Sequence, residues 1–182
     1  MALARVISGG QSGVDRAGLD AAIMLGIPYG GWCPRGGWAE DYPDPPGLLS
    51  AYPRLAETPS ADPEQRTRWN VRDSDASLIL TSVGVVSAGT ALTLATAMEL
   101  GRELVVIDAD TPEPGLQDAR ALLDSLAPGC VVNVAGPRES EAPGIGDRAA
   151  ALLALLLAPG PLRRARRQRP PLPARRAPPP PP

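Results

Sequence analysis

The chain has no histidine, no lysine and no phenylalanine, and two cysteines in 182 residues. Without histidine or lysine, a serine triad, a lysine Schiff base and a histidine-ligated zinc are all excluded. Any general acid or base must be Asp, Glu, Cys or Tyr. Cys33 and Cys130 lack metal-ligand spacing, which fits a reducing cytoplasm better than a disulfide framework and predicts no structural metal. No apolar run reaches membrane-spanning length and no signal-peptide pattern precedes the first strand, so a cytoplasmic protein without a membrane partner is expected.

Positive charge is all arginine, and it is unevenly placed. Seven of the 18 arginines lie within residues 163 to 176, and nothing from Pro159 onward is acidic. The preceding residues carry 11 arginines against 20 acids, a net −9 that argues against nucleic acid as the main partner. The stretch "PGPLRRARRQRPPLPARRAPPPPP" cannot bury apolar area. An ordered domain over residues 1 to 158 and a disordered Arg/Pro-rich tail over 159 to 182 are therefore expected. The tail reads either as a solvated extension or as a docking segment for an acidic surface or proline-binding module.

What is present is an alternation of strand-type and helix-type patterns, the signature of a parallel α/β sheet. Strands are expected at Ala4–Ser8, Ile27–Gly30, Ala76–Thr81, Leu104–Asp108 and Val131–Val134. Helices are expected near Val14–Leu25, Pro63–Arg72, Ala91–Leu100, Leu116–Leu126 and Asp147–Leu157. "SLILTS" and "LVVID" are nearly continuous apolar runs, as in central strands covered on both faces. The fold class is a Rossmann-like, doubly wound, mainly parallel five-stranded sheet with helices on both faces. Residues 31 to 61, rich in Gly, Pro, Trp and Tyr, form a long connection of the kind that is usually functional.

The first strand runs into its helix through Gly9, Gly10, Gln11, Ser12 and Gly13. In a parallel sheet this turn lies at the carboxyl edge, where ligands bind. Bare backbone N–H groups at a helix N-terminus favour an anion such as phosphate, although a tight reversal alone would also use glycine. The dinucleotide fingerprint is absent, because the second strand ends in Tyr29, Gly30, Gly31 and Trp32 without a carboxylate. A Walker A loop requires a lysine that the chain lacks. Arg16 either closes over a phosphate or pairs with Asp20 one turn later.

A second turn, "SAGT", places Ser87, Gly89 and Thr90 at another helix start, with Ser87 also a natural N-cap. The helix from Pro63 begins at the same edge, so Arg66 reaches a phosphate and Asn70 shares its face one turn on. Asp73 and Asp75 precede a strand and belong to the far edge, in structural roles. On the long segment, Arg35 is a lid cation. Trp32 and Trp38 suit either stacking or packing, and Cys33 reads as a buried inert thiol. Asp108 and Asp110 either hydrogen-bond a ligand or cap the following turn.

The stretches "SGGQSGVDRAGLDAA", "GIPYGGWCPRGGWAED", "ETPSADPEQRTRWNVRDSD" and "GTALT" resemble those of the molybdenum carrier and molybdenum-cofactor carrier proteins. The resemblance spans about residues 5 to 108. It implies a Rossmann-like fold, a phosphate-bearing ligand such as molybdenum cofactor (molybdopterin), and a homo-oligomer, tetramer or dimer, with molybdoenzymes as possible recipients. That family is distantly similar to lysine-decarboxylase-like nucleotide-processing proteins, whose glycine motif is followed by a glutamate. Leu92 and Thr93 stand in that place here, which favours a carrier that performs no chemistry. The alternatives are a nucleoside-phosphate hydrolase using Glu40 or Asp41, and a nucleotide-sensing regulator with a recruiting tail. In the carrier reading Gly9, Gly10, Ser12 and Gly13 hold the anion, Ser87, Gly89 and Thr90 face them, and Arg35 and Arg66 are countercharges.

Overall fold

The alternating pattern folds as a parallel sheet. A computed structural model describes residues 3 to 158, and the expected tail from Pro159 lies outside them. In chain order the elements are β1 (Arg5–Ile7), α1 (Val14–Met24), β2 (Tyr29–Gly30), β3 (Trp32–Cys33), β4 (Ala56–Glu57) and α2 (Pro63–Arg72). They continue with β5 (Ala76–Thr81), α3 (Ala88–Glu99), β6 (Glu103–Asp108), α4 (Glu113–Ser125), β7 (Val131–Ala135) and α5 (Ile145–Leu157).

Five strands form the main sheet in the spatial order β2-β1-β7-β5-β6, every neighbouring pair parallel. In β5, Leu78 lies level with Val105 of β6 and Val134 of β7, and the first five residues are buried, as the continuous apolar run predicts. If the β7–α5 unit is counted first instead of last, the spatial order becomes 3-2-1-4-5. This is the order of a dinucleotide-binding sheet, whose switch point lies between its first and fourth strands. Here those strands are β7 and β5. The loop after β7 leads to α5 on one face and the loop after β5 to α3 on the other, which opens a crevice between them.

The larger hydrophobic cluster joins α1, α4 and α5 to one face through Val6, Leu78, Leu80, Ile107, Val132 and Val134. Helices α2 and α3 pack on each other against the opposite face. The long connection is folded rather than open. β3 pairs parallel with β4, and Cys33, Ala39, Leu48, Tyr52 and Leu55 form a second small cluster over Leu19 of α1.

Two-residue strands such as β3 and β4 have no periodic signature, so the sequence shows this stretch only as a connection. Three helices begin earlier than their apolar periodicity suggests. α3 starts at Ala88 because Ser87 caps it, its Oγ accepting from the Thr90 N–H at 3.3 Å. α4 starts at Glu113, with a proline in its first turn, and α5 follows Gly144 at φ 77°.

Candidate functional site

In the first turn, glycine makes room for the chain itself. A Cβ on Gly9 would lie 1.8 Å from Arg66 Nη1, and one on Gly13 2.6 Å from the Pro137 carbonyl oxygen. Gly13 also sits at φ 76°, where other residues are strained. The donors are partly engaged as well. Asp15, 2% exposed, accepts from Arg66 Nη1 at 2.7 Å and from the backbone N–H groups of Gln11 and Gly136. Burial pushes the Asp15 carboxyl above its ordinary range, against the opposing pull of Arg66 and those amides. A side-chain carboxylate thus takes up donors that the sequence offers to an external anion.

The rest of the turn clasps the long segment. The Gln11 side-chain oxygen accepts from the N–H groups of Ser12 and Glu40 at 3.0 and 2.9 Å. The Ser12 hydroxyl donates to Glu40 and accepts from the Glu139 N–H at 3.1 Å. Glu40 also takes the Ser140 hydroxyl at 2.5 Å. Burial pushes Glu40 upward, but the Ser12 and Ser140 donors outweigh it and hold the carboxyl below its ordinary value. Arg16 pairs with Asp41 at 3.0 Å and donates to the Gly10 carbonyl, lying over the rings of Tyr42 and Tyr52. Asp20, one of the two alternatives for Arg16, receives the Tyr52 hydroxyl instead, at 2.6 Å.

Beside this clasp an open cavity of about 230 Å³ lies at the β7/β5 switch point. Gln11, Arg66, Ser87 and Gly89 line it, four of the residues singled out from sequence. Trp38 and Leu92 add apolar surface, and Gly136, Arg138 and Glu141 bring the loop after β7 to its wall. Asp62 and Glu64 stand at the start of α2, with the Asp62 carboxylate capping the Glu64 N–H at 2.9 Å.

The cationic groups are held apart. Arg66 is 14% exposed, and its Nε is buried without an acceptor. Arg138 keeps Glu141 at 3.3 Å and remains half-exposed. The start of α3 is bare, since Ala88 and Gly89 are exposed and a Cβ on Gly89 would meet nothing closer than 3.9 Å.

Other expected residues stand behind the cavity or outside it. Gly9, Gly10, Ser12, Gly13, Arg16, Asn70 and Thr90 do not line it. Asn70 joins α2 to β3 by accepting from the Trp32 N–H at 2.8 Å and donating to its carbonyl at 3.0 Å. Arg35 is exposed on the long segment, outside the lining. Cys33 is buried, which pushes its thiol up to about 11, so it stays protonated at neutral pH. Asp108 and Asp110 tie their own turn: Asp108 accepts from the Asp110 N–H and the Thr111 hydroxyl, and Asp110 from Ser82. Asp73 takes the Trp32 indole N–H at 2.7 Å, a structural role.

Gly136, Arg138 and Glu141 are among the lining residues that sequence reasoning missed, with Glu64, Thr67 and Ala88. For the first three the signal is a Gly-Pro-Arg turn closing an apolar strand, but it lies at the end of the chain, where the first strand of a doubly wound sheet is not sought.

Sheet order and crevice together define a Rossmann-like domain of the doubly wound class. The profile of the circularly permutated YpsA SLOG family matches residues 6–157, and the chain belongs to that family. Its fold is similar to the crystal structure of a "putative molybdenum carrier protein" from Syntrophus aciditrophicus SB, with 39% sequence identity and a TM-score of 0.74. The match covers 86% of this chain and 96% of that one. No curated protein matches the chain.

Proposed function

We propose that the cavity holds the phosphate end of a small phosphorylated cofactor, molybdenum cofactor (molybdopterin), which the protein stores or delivers in the cytoplasm without altering it. The carrying observation is Arg66, a cavity-lining arginine whose buried Nε has no acceptor. Buried donors are nearly always paired, so an unpaired one at a cavity wall calls for an external acceptor. The bare N-terminus of α3 and the half-exposed Arg138 supply further donors for the same anion. Trp38 and Leu92 offer apolar surface to a planar ring.

Among the described residues no group of three His, Cys, Asp or Glu side chains could ligate a metal. Contacts to the cofactor therefore fall on its phosphate and ring. The bound cofactor would be passed on intact to recipient molybdoenzymes. Gln11, Arg66, Ser87 and Gly89 touch the ligand in this reading. Gly9, Gly10, Ser12, Gly13, Arg16, Asn70 and Thr90 hold the turn, lid and helix in place behind them, and Arg35 contributes charge from the lid.

Hydrolysis has less support. Glu40 is bound by two hydroxyls and Asp41 by Arg16, and neither carboxylate lines the cavity. The name of the Syntrophus protein supports a molybdenum-related ligand.

Ala88→Asp tests the reading cleanly. A carboxylate in the first turn of α3 complements the helix dipole, so the fold is kept, while an incoming phosphate is repelled. Titration with molybdenum cofactor released from a molybdoenzyme should show affinity falling by about tenfold or more, equivalent to about 1.4 kcal/mol. Unchanged affinity in the folded variant would place the phosphate elsewhere.

A further inference from the structure

Both arginines of the cavity wall are already matched by carboxylates. Arg66 holds Asp15 at 2.7 Å and Arg138 holds Glu141 at 3.3 Å. Asp62 and Glu64 add two further acids to the lining. Among the described lining residues, no side-chain cation is left without a matching acid. An arriving dianion therefore adds charge that the wall does not balance, close to a buried carboxylate that salt screens little.

The two pairs differ in how readily a carboxylate can become neutral. Glu141 is 24% exposed, so water steadies its ionised form. Asp15 is almost wholly buried. Desolvation raises its carboxyl above the ordinary 3.8, although Arg66 and the Gln11 and Gly136 amides oppose the rise. The pair is also built into the turn. A Cβ on Gly9 would lie 1.8 Å from Arg66 Nη1 and 2.7 Å from Asp15 Oδ2, so bare backbone gives both side chains their place.

Other ionisable groups around Asp15 have partners of their own. Next to it on α1, Arg16 is paired with Asp41. From the loop after β7, Glu139 accepts from the Gly144 and Gly146 amides, and from the long segment Glu40 accepts from Ser12 and Ser140. On α5, Asp147 stands in the first turn and Arg148 lies 3.5 Å from Asp110. Cys33 on β3 feels the charge of Arg66 but keeps its proton, as burial holds its thiol at about 11. Among the described residues, Arg66 is the one charge that acts directly on Asp15.

We infer, resting on the phosphate site proposed above, that Asp15 sets the affinity of the cavity through a proton. As the phosphate engages the Arg66 guanidinium, Asp15 Oδ2 takes up one proton from solvent, and it returns that proton when the ligand leaves. A dianion and a proton enter together, so the site gains one net negative charge instead of two. Arg66 then balances one anion rather than two. Binding strengthens as the pH falls between the free and the loaded titration of Asp15, and loosens as it rises.

Sulfate is the probe, because it stays a dianion where a phosphate ester itself titrates. NMR of the isotope-labelled full chain follows the Asp15 carboxyl from about pH 5 to 8. With saturating sulfate it should titrate about one pH unit or more higher than without, the scale of a like charge roughly 6 Å away. Sulfate affinity should fall up to about tenfold per pH unit across that interval, the slope of one linked proton. Above the interval, Asp15→Asn should bind sulfate about tenfold more tightly than the wild type and without the slope. Glu141→Gln should keep the slope. The two wild-type titrations decide the matter even if Asp15→Asn fails to fold. If Asp15 titrates alike with and without bound sulfate while Ala88→Asp still weakens binding, the proton linkage is overturned and the phosphate site stands. If sulfate fails to bind or ignores Ala88→Asp, the phosphate site falls and the linkage with it.

Discussion

Arg66 combines one internal ion pair with one unpaired donor. Its Nη1 is committed to Asp15 at 2.7 Å, and its Nε is left over at the cavity wall. The internal partner is almost wholly buried, so removing the guanidinium strands an uncompensated charge. Arg66→Ala should therefore destabilise the fold by about 3–5 kcal/mol in urea denaturation. Adding Asp15→Asn to that variant should recover much of the loss, because the carboxylate is then gone. If the single substitution unfolds as the wild type does, the pair is not structural and Arg66 belongs to the ligand alone. The sequence places Arg66 within reach of the carboxyl edge of the sheet, and there it lines the cavity. It cannot show that Asp15 has first claim, since that meeting spans 51 positions and depends on packing.

At the scale of elements, the long segment is a latch. Glu40 joins the first turn to the loop after β7 through Ser12 and Ser140, and Arg16 joins it to the lid through Asp41. The Glu40 carboxyl titrates below its ordinary value of 4.5 in the folded chain. It therefore contributes stability above that value and loses it as the pH falls through the lower, folded one. Glu40→Gln should cost about 1.5 kcal/mol at neutral pH, the scale of hydrogen bonds to a charged group. The deficit should shrink in acid until the two denaturation curves converge. A constant deficit across that range would mean that the carboxylate charge plays no part.

Elements were legible where a strong period ran long enough. The continuous run in β5, the alanine-rich α1 and the capped, proline-led α2 could all be read directly. β3 and β4 could not, because two residues carry no period. The β7 loop was hidden for a different reason. Its Gly136 and Arg138 act with β5 only once the sheet is assembled, and strand order is a property of contacts rather than of chain order.

At the scale of the molecule, one rearrangement accounts for the site. Placing the first unit of a doubly wound sheet last in the chain leaves its crevice intact, between β7 and β5. The chain's two glycine turns then serve different ends. The turn after β1 is packed by Arg66, Asp15 and the Pro137 loop, whereas the start of α3 stays open. Among the described residues, no helix is long and apolar enough to cross a membrane.

A crystal structure of the full chain grown with molybdenum cofactor is the most direct test. Its phosphate should lie about 3 Å from the Ala88 and Gly89 amides and from the Arg66 guanidinium, a normal hydrogen-bond distance. Density for the phosphate on any other surface, with Arg66 Nε still lacking an acceptor, would contradict the assignment of the crevice.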